Sequence, residues 1–351
     1  MSDTLRIIPL GGVGEVGKNI TVLEVAGEIL VIDCGLAFPD PEMLGIDLVI
    51  PDATYLAEHR DRVRGIILTH GHEDHTGGLP YVLPKIPGTP IYATRLTEGL
   101  VQGKLREHKL LDGTPLHVIE PGQQFVIGPF RITPFRVNHS IPDGVGYAIE
   151  TPLGTVVHTG DFKFDHTPPD GRRADLGLLA EIGNRGVAFL LSDSTRAEKE
   201  GYTLSETTVG ESLHRLVGEA QGRVIVATFA SNIGRVQQVI DAAWAHGRKM
   251  VALGRSMEQN TAIALERGYL DARDGTMVRK DQLQRLAKEE LVVMTTGSSS
   301  GASSGLYRKS VTRPSSTWTT PWSPASPPGG SSVVTRVHSA PVSRCVSSTS
   351  R

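Results

Sequence analysis

Apolar and polar residues alternate over short stretches in the first two hundred positions, and most of these stretches end at Gly or Pro. β-branched residues are frequent in them, and the two-residue period is typical of strands. The pattern predicts strands over residues 6–10, 19–25, 29–33, 65–69, 90–94, 130–137, 145–151 and 155–159. Two stretches with helical spacing, 53–60 and 95–108, lie between strands. Helices are therefore expected to cover at least one face of a sheet.

The pattern changes to alternating helices and strands after residue 204. It predicts helices over 205–220, 234–246 and from Met257 onward, and strands over 223–229, 249–254 and 291–296. Such an alternation is typical of a parallel α/β unit. The sequence thus predicts an α/β protein with a strand-rich domain at 1–204 and a second domain at 205–297.

The composition changes sharply in the last part of the chain. No Asp or Glu occurs between Leu291 and Arg351, and the segment from Ser298 is rich in Ser, Thr, Pro and Arg. Residues 314–330 show neither a helical nor a strand period, which predicts a low-complexity, disordered tail over 298–351. A linker is one interpretation. A reading-frame change in the coding DNA near codons 298–310 is the other, and we favour it.

The bulk composition favours a soluble, cytoplasmic protein. Apolar residues make up 39% of the chain, but no run approaches the roughly 18 apolar residues of a membrane span, and the start lacks a signal-peptide pattern. Two distant cysteines, Cys34 and Cys345, predict no disulfide framework. Residues 1–290 contain 30 Lys and Arg against 38 Asp and Glu, a net charge of −8. That charge counts against a nucleic-acid partner unless bound cations or a local groove supply positive charge.

The strongest chemical signal is a dense cluster of metal-ligating residues that follows an apolar strand. His70, His72, Asp74 and His75 lie within six positions. In an extended loop, residues two apart project to the same side, so His70 and His72 could share one ion while Asp74 and His75 serve a neighbouring one. The spacing therefore predicts two adjacent metal sites.

Two later strand ends offer further ligands. His139 follows the strand at 130–137, and Asp161 follows the strand at 155–159. A single His at a strand end is usually a hydrogen-bonded residue, and a Gly-Asp pair is usually a turn. Beside the histidine cluster, both become candidate ligands.

This set of motifs resembles that of the metallo-β-lactamase superfamily, with Asp33 as the early acidic residue. The resemblance implies an αββα sandwich with a dinuclear zinc site. It implies that His70, His72 and His139 bind one zinc and that Asp74 and His75 bind the other, with Asp161 bridging the two. Asp33 would not bind zinc itself but would orient the histidine loop as an outer partner of the ligands.

A closer resemblance is to ribonuclease J, a β-CASP group of that superfamily. It rests on residues 9–19, 68–80, 192–195, 228–232 and 295–298, and similarity covers roughly residues 5–297. The resemblance implies a β-CASP domain inserted into the hydrolase domain and RNA as the substrate. It also implies 5′-to-3′ exonuclease and endonuclease activity in RNA decay and rRNA maturation.

The resemblance also suggests individual roles. Two zinc ions would activate a shared water and neutralise phosphate charge. Asp74 is the candidate base, and Asp193 corresponds to the acidic residue that opens the β-CASP motifs. Ser231 and Asn232 lie where a strand end could hold an RNA phosphate. Loop capping and turn formation remain the alternative for these last three residues.

A glycine-rich segment, Gly12–Asn19, nearly matches the phosphate-binding loop of nucleotide-binding proteins. Asn19 stands where a Ser or Thr would meet magnesium, and a strand rather than a helix follows. Both departures argue against ATP. The glycines are better explained as a tight turn of the backbone beneath the metal site.

Some family features have no counterpart in this sequence. A Ser-Gly-His-like segment and a further His ligand are missing, and the surroundings of His338 do not match. The expectation is an incomplete sandwich lacking its C-terminal part, a weakly held second zinc, and low or no activity. Alternative functions are a non-catalytic fragment that binds RNA or a partner, and another hydrolase of the same fold acting on a thioester or lactam. The protein partners expected are further copies of this chain or related ribonuclease subunits, and no membrane is expected.

Overall fold

The computed structural model describes residues 4–40, 42–195 and 197–296, together with the backbone strand Val334–Arg336. Contacts divide the chain into two compact units. The first takes in the residues up to Val209 and Ile263–Tyr269, and the second takes in Gly210–Ala262 and continues from Leu270.

Two β-sheets form the framework of the first unit. The first sheet has the order β1 (Arg6–Gly11), β2 (Ile20–Val25), β3 (Glu28–Ile32), β4 (Val63–Ile67), β5 (Ile91–Ala93) and β6 (Leu116–Val118). It is antiparallel up to β3 and parallel from β3 to β6. The second sheet has the order β11 (Phe189–Leu191), β10 (Gly154–His158), β9 (Val145–Thr151), β8 (Phe130–Arg136) and β7 (Phe125–Ile127). Only the β10–β11 pair in it is parallel.

Helices of the first unit lie between these strands in the chain. They are α1 (Thr54–Glu58), α2 (Glu73–Thr76), α3 (Leu79–Val82), α4 (Arg95–Glu107) and α5 (Leu176–Arg185), with short 3-10 turns at Arg60–Arg62, Leu83–Lys85 and Leu111–Gly113. The helix α6 (Glu206–Glu219) begins in the first unit and continues in the second.

Alternating side chains along each strand separate the core into layers. Leu30 and Ile32 of β3 pack with Phe130 and Ile149 of the second sheet, so one apolar cluster lies between the two sheets. Neighbouring β3 residues point the other way and pack with residues of α1, α3 and α4. A third cluster joins the outer face of the second sheet to Ile182 of α5. The order helix, sheet, sheet, helix is the expected αββα sandwich.

The second unit contains a parallel sheet with helices between its strands. Its strands run in the order β13 (Lys249–Leu253), β14 (Leu291–Thr296), β12 (Val224–Thr228) and β15 (Val334–Arg336). The helices are α7 (Ile233–Ala245) and α8 (Arg255–Glu266), of which the residues from Ile263 onward belong to the first unit. Short 3-10 turns cover Lys280–Arg285 and Lys288–Glu290. The predicted parallel α/β arrangement is confirmed.

Two local expectations were wrong. The histidine cluster is not an extended loop throughout, because α2 begins directly after His72 and places Asp74 and His75 on a helical turn. The strands β6, β7 and β11 and the helix α5 were missed. Each of these strands has three residues, too few for a period to emerge, and Gly177 and Gly183 lower the helix propensity of α5.

The predicted disordered tail lies outside the described residues, except for Val334–Arg336. Among the helices in the described part of the chain, none is long and apolar enough to cross a membrane.

Packing between the two sheets should dominate the stability of the first unit. Leu30 is fully buried in a central strand, so Leu30→Ala should lower the free energy of unfolding by about 2–5 kcal/mol in urea titrations. Val126 lies on β7 with 64% of its surface exposed, and Val126→Ala should change stability by less than about 0.5 kcal/mol. Equal effects of the two substitutions would contradict the layered core.

Candidate metal centre

The histidine cluster lies where strands of both sheets end. β3 and β4 are parallel, so the residues that follow them, Asp33 and His70, meet at one edge of the first sheet. His139 follows β8, and Asp161 follows β10 in the second sheet. Strand ends from both sheets thus bring four separate segments of the chain to one place.

The first donor group consists of three imidazoles. Nε2 of His70 lies 3.0 Å from Nδ1 of His72, and Nε2 of His139 lies 3.2 Å from that same Nδ1. A nitrogen from each ring lies within 4.8 Å of the others. His70 is buried, whereas His72 and His139 are half-buried.

The second donor group surrounds His75. Its Nε2 atom lies 3.3 Å from Oδ1 of Asp161 and 3.6 Å from Oδ2 of Asp74. The other oxygen of Asp161, Oδ2, lies 3.8 Å from Nε2 of His139 in the first group. The Asp161 carboxylate therefore faces both groups. His70 has a nitrogen within 4.8 Å of both His75 and Asp161, so it too belongs to both sets, although the sequence assigned it to the first alone.

Asp33 and Thr69 form hydrogen bonds that hold the donor groups in position. The buried Asp33 carboxylate accepts hydrogen bonds from the backbone N–H of Thr69 at 2.8 Å and from its hydroxyl at 2.9 Å, and it contacts Nδ1 of His75 at 2.8 Å. A carboxylate at Nδ1 fixes the ring so that Nε2 faces the donor group. Asp33 has φ of 62°, a left-handed conformation that Asp tolerates better than most residues.

Burial sets the protonation of the first group. It lowers the pKa of His70 and His72 well below the usual range, and the neighbouring imidazoles add to that effect. Burial also lowers the pKa of His139. All three rings are therefore neutral near pH 7, with lone pairs crowded into a small volume. A cation relieves that crowding.

Charges set the protonation of the second group. Burial acts to lower the pKa of His75, but the carboxylates of Asp161, Asp33 and Asp74 raise it well above the usual range. Burial opposes ionisation of Asp161, yet His75 and His139 hold its pKa below the usual range. Burial raises the pKa of Asp74. Three carboxylates around one imidazole require a positive charge among them, which a proton or a metal ion can supply.

The donor chemistry fits a divalent transition metal. Neutral imidazoles and carboxylates are the donors that zinc and its neighbours prefer, and the described residues bring at least three donors to each group. The Asp33 carboxylate contacts Nδ1 of His75, and metal-binding imidazoles usually have such a carboxylate at the ring nitrogen that does not bind the metal.

Asp193 lies at the same end of the second sheet as Asp161. The parallel pairing of β10 and β11 brings it there, and its Oδ2 accepts a hydrogen bond from the Phe162 N–H at 3.4 Å. Its charge acts to raise the pKa of His139, against the larger effect of burial.

Ser231 and Asn232 belong to the second unit, at the turn between β12 and α7. Oδ1 of Asn232 accepts a hydrogen bond from the Arg235 N–H at 3.0 Å and caps the helix. The capping role that the sequence left open for Asn232 is therefore present.

Sequence reasoning missed the contribution of two residues. Thr69 was treated only as the end of a strand, yet its hydroxyl links Asp33 to Nδ1 of His70 at 3.1 Å. Asn19 was weighed only as a departure from a nucleotide-binding motif, yet its amide contacts Asp74 and His75. The signal for Asn19 was the run of glycines before it, which allows close approach of the backbone.

Comparison with known families agrees with this geometry. Residues 13–206 match the metallo-beta-lactamase superfamily, and residues 221–315 match the ribonuclease J beta-CASP domain. A solved structure of a protein of unknown function from Enterococcus faecalis V583 shares the fold with a TM-score of 0.60 at 14% identity, over 84% of this chain and 77% of that chain. The chain belongs to the metallo-β-lactamase superfamily.

Within that superfamily the sequence groups with ribonuclease J. It is 48% identical to ribonuclease J of Thermus thermophilus, over 87% of this chain and 54% of that protein. Identity is 44% to ribonuclease J of Mycobacterium tuberculosis and to ribonuclease J2 of Bacillus subtilis, over 88% and 85% of this chain and 55% and 53% of those proteins. The chain thus spans about half the length of these relatives.

The contact between Asp33 and His75 gives a direct test of the support beneath the donor groups. Asp33→Asn keeps the shape and tolerates the left-handed backbone but removes the charge facing His75. Metal affinity should fall about 10- to 100-fold, as measured by zinc titration against a chelator. An unchanged affinity would contradict the orienting role of Asp33.

Proposed function

We propose that this chain carries the metal centre of a metal-dependent ribonuclease that hydrolyses RNA phosphodiester bonds. The observation that carries the proposal is the pair of donor groups joined by Asp161, in a chain that also matches the β-CASP domain of ribonuclease J. The names of the relatives supply the substrate class.

The proposed cofactor is a pair of zinc ions. The first would be held by His70, His72 and His139, and the second by Asp74, His75 and Asp161, with the Asp161 carboxylate shared between the ions. Such ions, when bound, lower the pKa of a water ligand and neutralise charge on a phosphate. Positive charge at this place would also offset the net charge of −8 carried by residues 1–290.

Asp74 is the proposed proton acceptor. Burial raises the pKa of its carboxyl group, which makes the carboxylate a better base toward an attacking water. The contact of Asp33 with Nδ1 of His75 keeps Nε2 turned toward the same space. Asp193, which accepts a hydrogen bond from the N–H of Phe162 directly after Asp161, is proposed to act at the catalytic centre as a second acidic group.

The finer biological role is also a proposal. By analogy with ribonuclease J, the substrate would be single-stranded RNA cut in 5′-to-3′ exonuclease and endonuclease modes, in RNA decay and rRNA maturation in the cytoplasm. Ser231 is proposed to contact an RNA phosphate. The side chain of Asn232 would contribute through its Nδ2 group, because a phosphate oxygen accepts hydrogen bonds, whereas the Asn232 oxygen, itself an acceptor, caps α7. Homo-oligomers or complexes with related ribonuclease subunits are the proposed protein partners.

A second candidate is a protein that binds RNA or a partner without cleaving RNA. The chain spans 53–55% of the length of several ribonuclease J relatives. A weak second metal site would also leave the chain without cleavage activity. Cleavage of a thioester or lactam is less well supported, because residues 221–315 match a domain named for ribonuclease J.

Hydrolysis of 5′-monophosphorylated RNA, with and without a chelator, tests the proposal. Cleavage, even at the low rate that the sequence predicts, should occur with zinc or manganese present and should stop when EDTA removes the metal. The double variant His72→Ala, Asp74→Ala removes one donor from each group and should lower the rate at least 100-fold, as followed by gel electrophoresis of labelled RNA.

The matched control is Thr151→Ala, which removes hydrogen bonds at the β9–β10 turn without touching the donor groups. It should retain the rate of the unchanged protein. Chelator-resistant cleavage, or cleavage unaffected by the double substitution, would contradict the proposal. Metal binding without cleavage would instead favour the second candidate, which binds RNA or a partner without cleaving RNA.

A further inference from the structure

The glycine-rich segment before β2 folds into a loop that brings Asn19 to the metal centre. Gly12, Gly14 and Gly17 have φ of 85°, 72° and 97°, values that favour glycine. Lys18 follows at φ of 55°, and its N–H donates to the Leu36 carbonyl at 3.0 Å. The loop thus reverses the chain between β1 and β2 so that Asn19 faces the histidine cluster.

Asn19 makes a concentrated set of contacts there. Its backbone N–H donates to the carbonyl oxygen of Asp74 at 3.0 Å, and its side-chain Nδ2 donates to the same oxygen at 3.1 Å. Nδ2 also lies 3.4 Å from Oδ2 of Asp74 and 3.1 Å from Nε2 of His75. One amide group therefore contacts both of the adjacent residues proposed for the second ion.

Backbone packing leaves Asn19 little freedom. Its carbonyl accepts a hydrogen bond from the Gly35 N–H at 2.9 Å. A Cβ at Gly35 would lie 1.6 Å from the carbonyl oxygen of Asp74, so only glycine fits between these segments. A Cβ at Gly12 would lie 2.4 Å from Oδ1 of Asn19. The loop, the turn after β3 and the start of α2 therefore form one interlocked backbone cluster.

We propose that Asn19 is a positioning residue for the second metal site, and that the glycine-rich loop serves to place it. The inference rests on the proposed function, because it assumes that Asp74 and His75 bind an ion. Asn19 would fix the main chain of Asp74 through two hydrogen bonds to its carbonyl, neither of which uses a ligand atom. The Asp74 carboxylate and the His75 ring would then converge without further ordering when the ion arrives.

An amide suits this task better than a charged group. Nδ1 of His75 faces the Asp33 carboxylate, so Nε2 is the ring nitrogen left for the ion. Nδ2 of Asn19 donates to the Asp74 carbonyl oxygen and lies beside the Asp74 carboxylate without adding charge there. A carboxylate at position 19 would instead face Oδ2 of Asp74 with like charge.

Zinc titrations of the unchanged chain, Asn19→Ala and Asn19→Asp test the inference. The unchanged chain should bind two Zn²⁺ in separable steps. Both substitutions should weaken one step about 10- to 100-fold and leave the other within about twofold. In a His72→Ala background, which disables the three-histidine group, Asn19→Ala should weaken the remaining step by the same factor.

A glycine pair provides a second test that leaves the amide itself in place. Gly12→Ala and Gly14→Ala place a side chain at similar positive φ, but only the first meets Asn19, since an added Cβ at Gly14 has nothing within 4 Å. Gly12→Ala should therefore weaken the same zinc step, and Gly14→Ala should not. If Asn19→Ala does not fold, the two glycine variants still test whether Asn19 positions the second metal site.

Each outcome has a distinct meaning. The role of Asn19 would be overturned if Asn19→Ala left both zinc-binding steps unchanged. It would also be overturned if Gly12→Ala and Gly14→Ala weakened zinc binding equally. Either result would leave the proposed function intact. An unchanged chain that binds no Zn²⁺ at all would overturn both. Equal weakening of both steps would make Asn19 a general structural residue and would also contradict the inference.

Discussion

The structure depends on one electrostatic constraint at the edge where the two sheets meet. Neutral imidazole nitrogens of His70, His72 and His139 crowd together in one group. Carboxylates of Asp74 and Asp161 gather around His75 in the other. Lone pairs and negative charges at such distances repel one another unless a cation lies among them. The surrounding fold is built to hold this arrangement in place.

Strand ends supply the ligands, and short polar contacts hold them. The αββα sandwich places the ends of β3, β4, β8 and β10 close together, so four segments contribute side chains without a long loop. Asp33 and Thr69 fix the rings, and the glycine-rich loop contacts Asp74 through Asn19. Rigid packing between the sheets therefore serves the chemistry directly.

The sequence predicted most of this arrangement, for physical reasons. The period-two alternation located the longer strands within one or two residues, and the dense histidine spacing drew attention to residues 70–75. The helical turn α2 was not predicted, because four residues carry no usable period. Asn19 was missed because its contacts depend on segments 55 residues apart meeting in space, which local patterns do not reveal.

Anomalous X-ray diffraction at the zinc edge, from crystals grown with Zn²⁺, would show whether ions occupy the two donor groups. We expect two zinc positions. One should lie about 2.0–2.1 Å from a nitrogen of each of His70, His72 and His139, and the other should contact Asp74, His75 and Asp161. Zinc bound elsewhere, or no zinc at this edge of the sandwich, would contradict it.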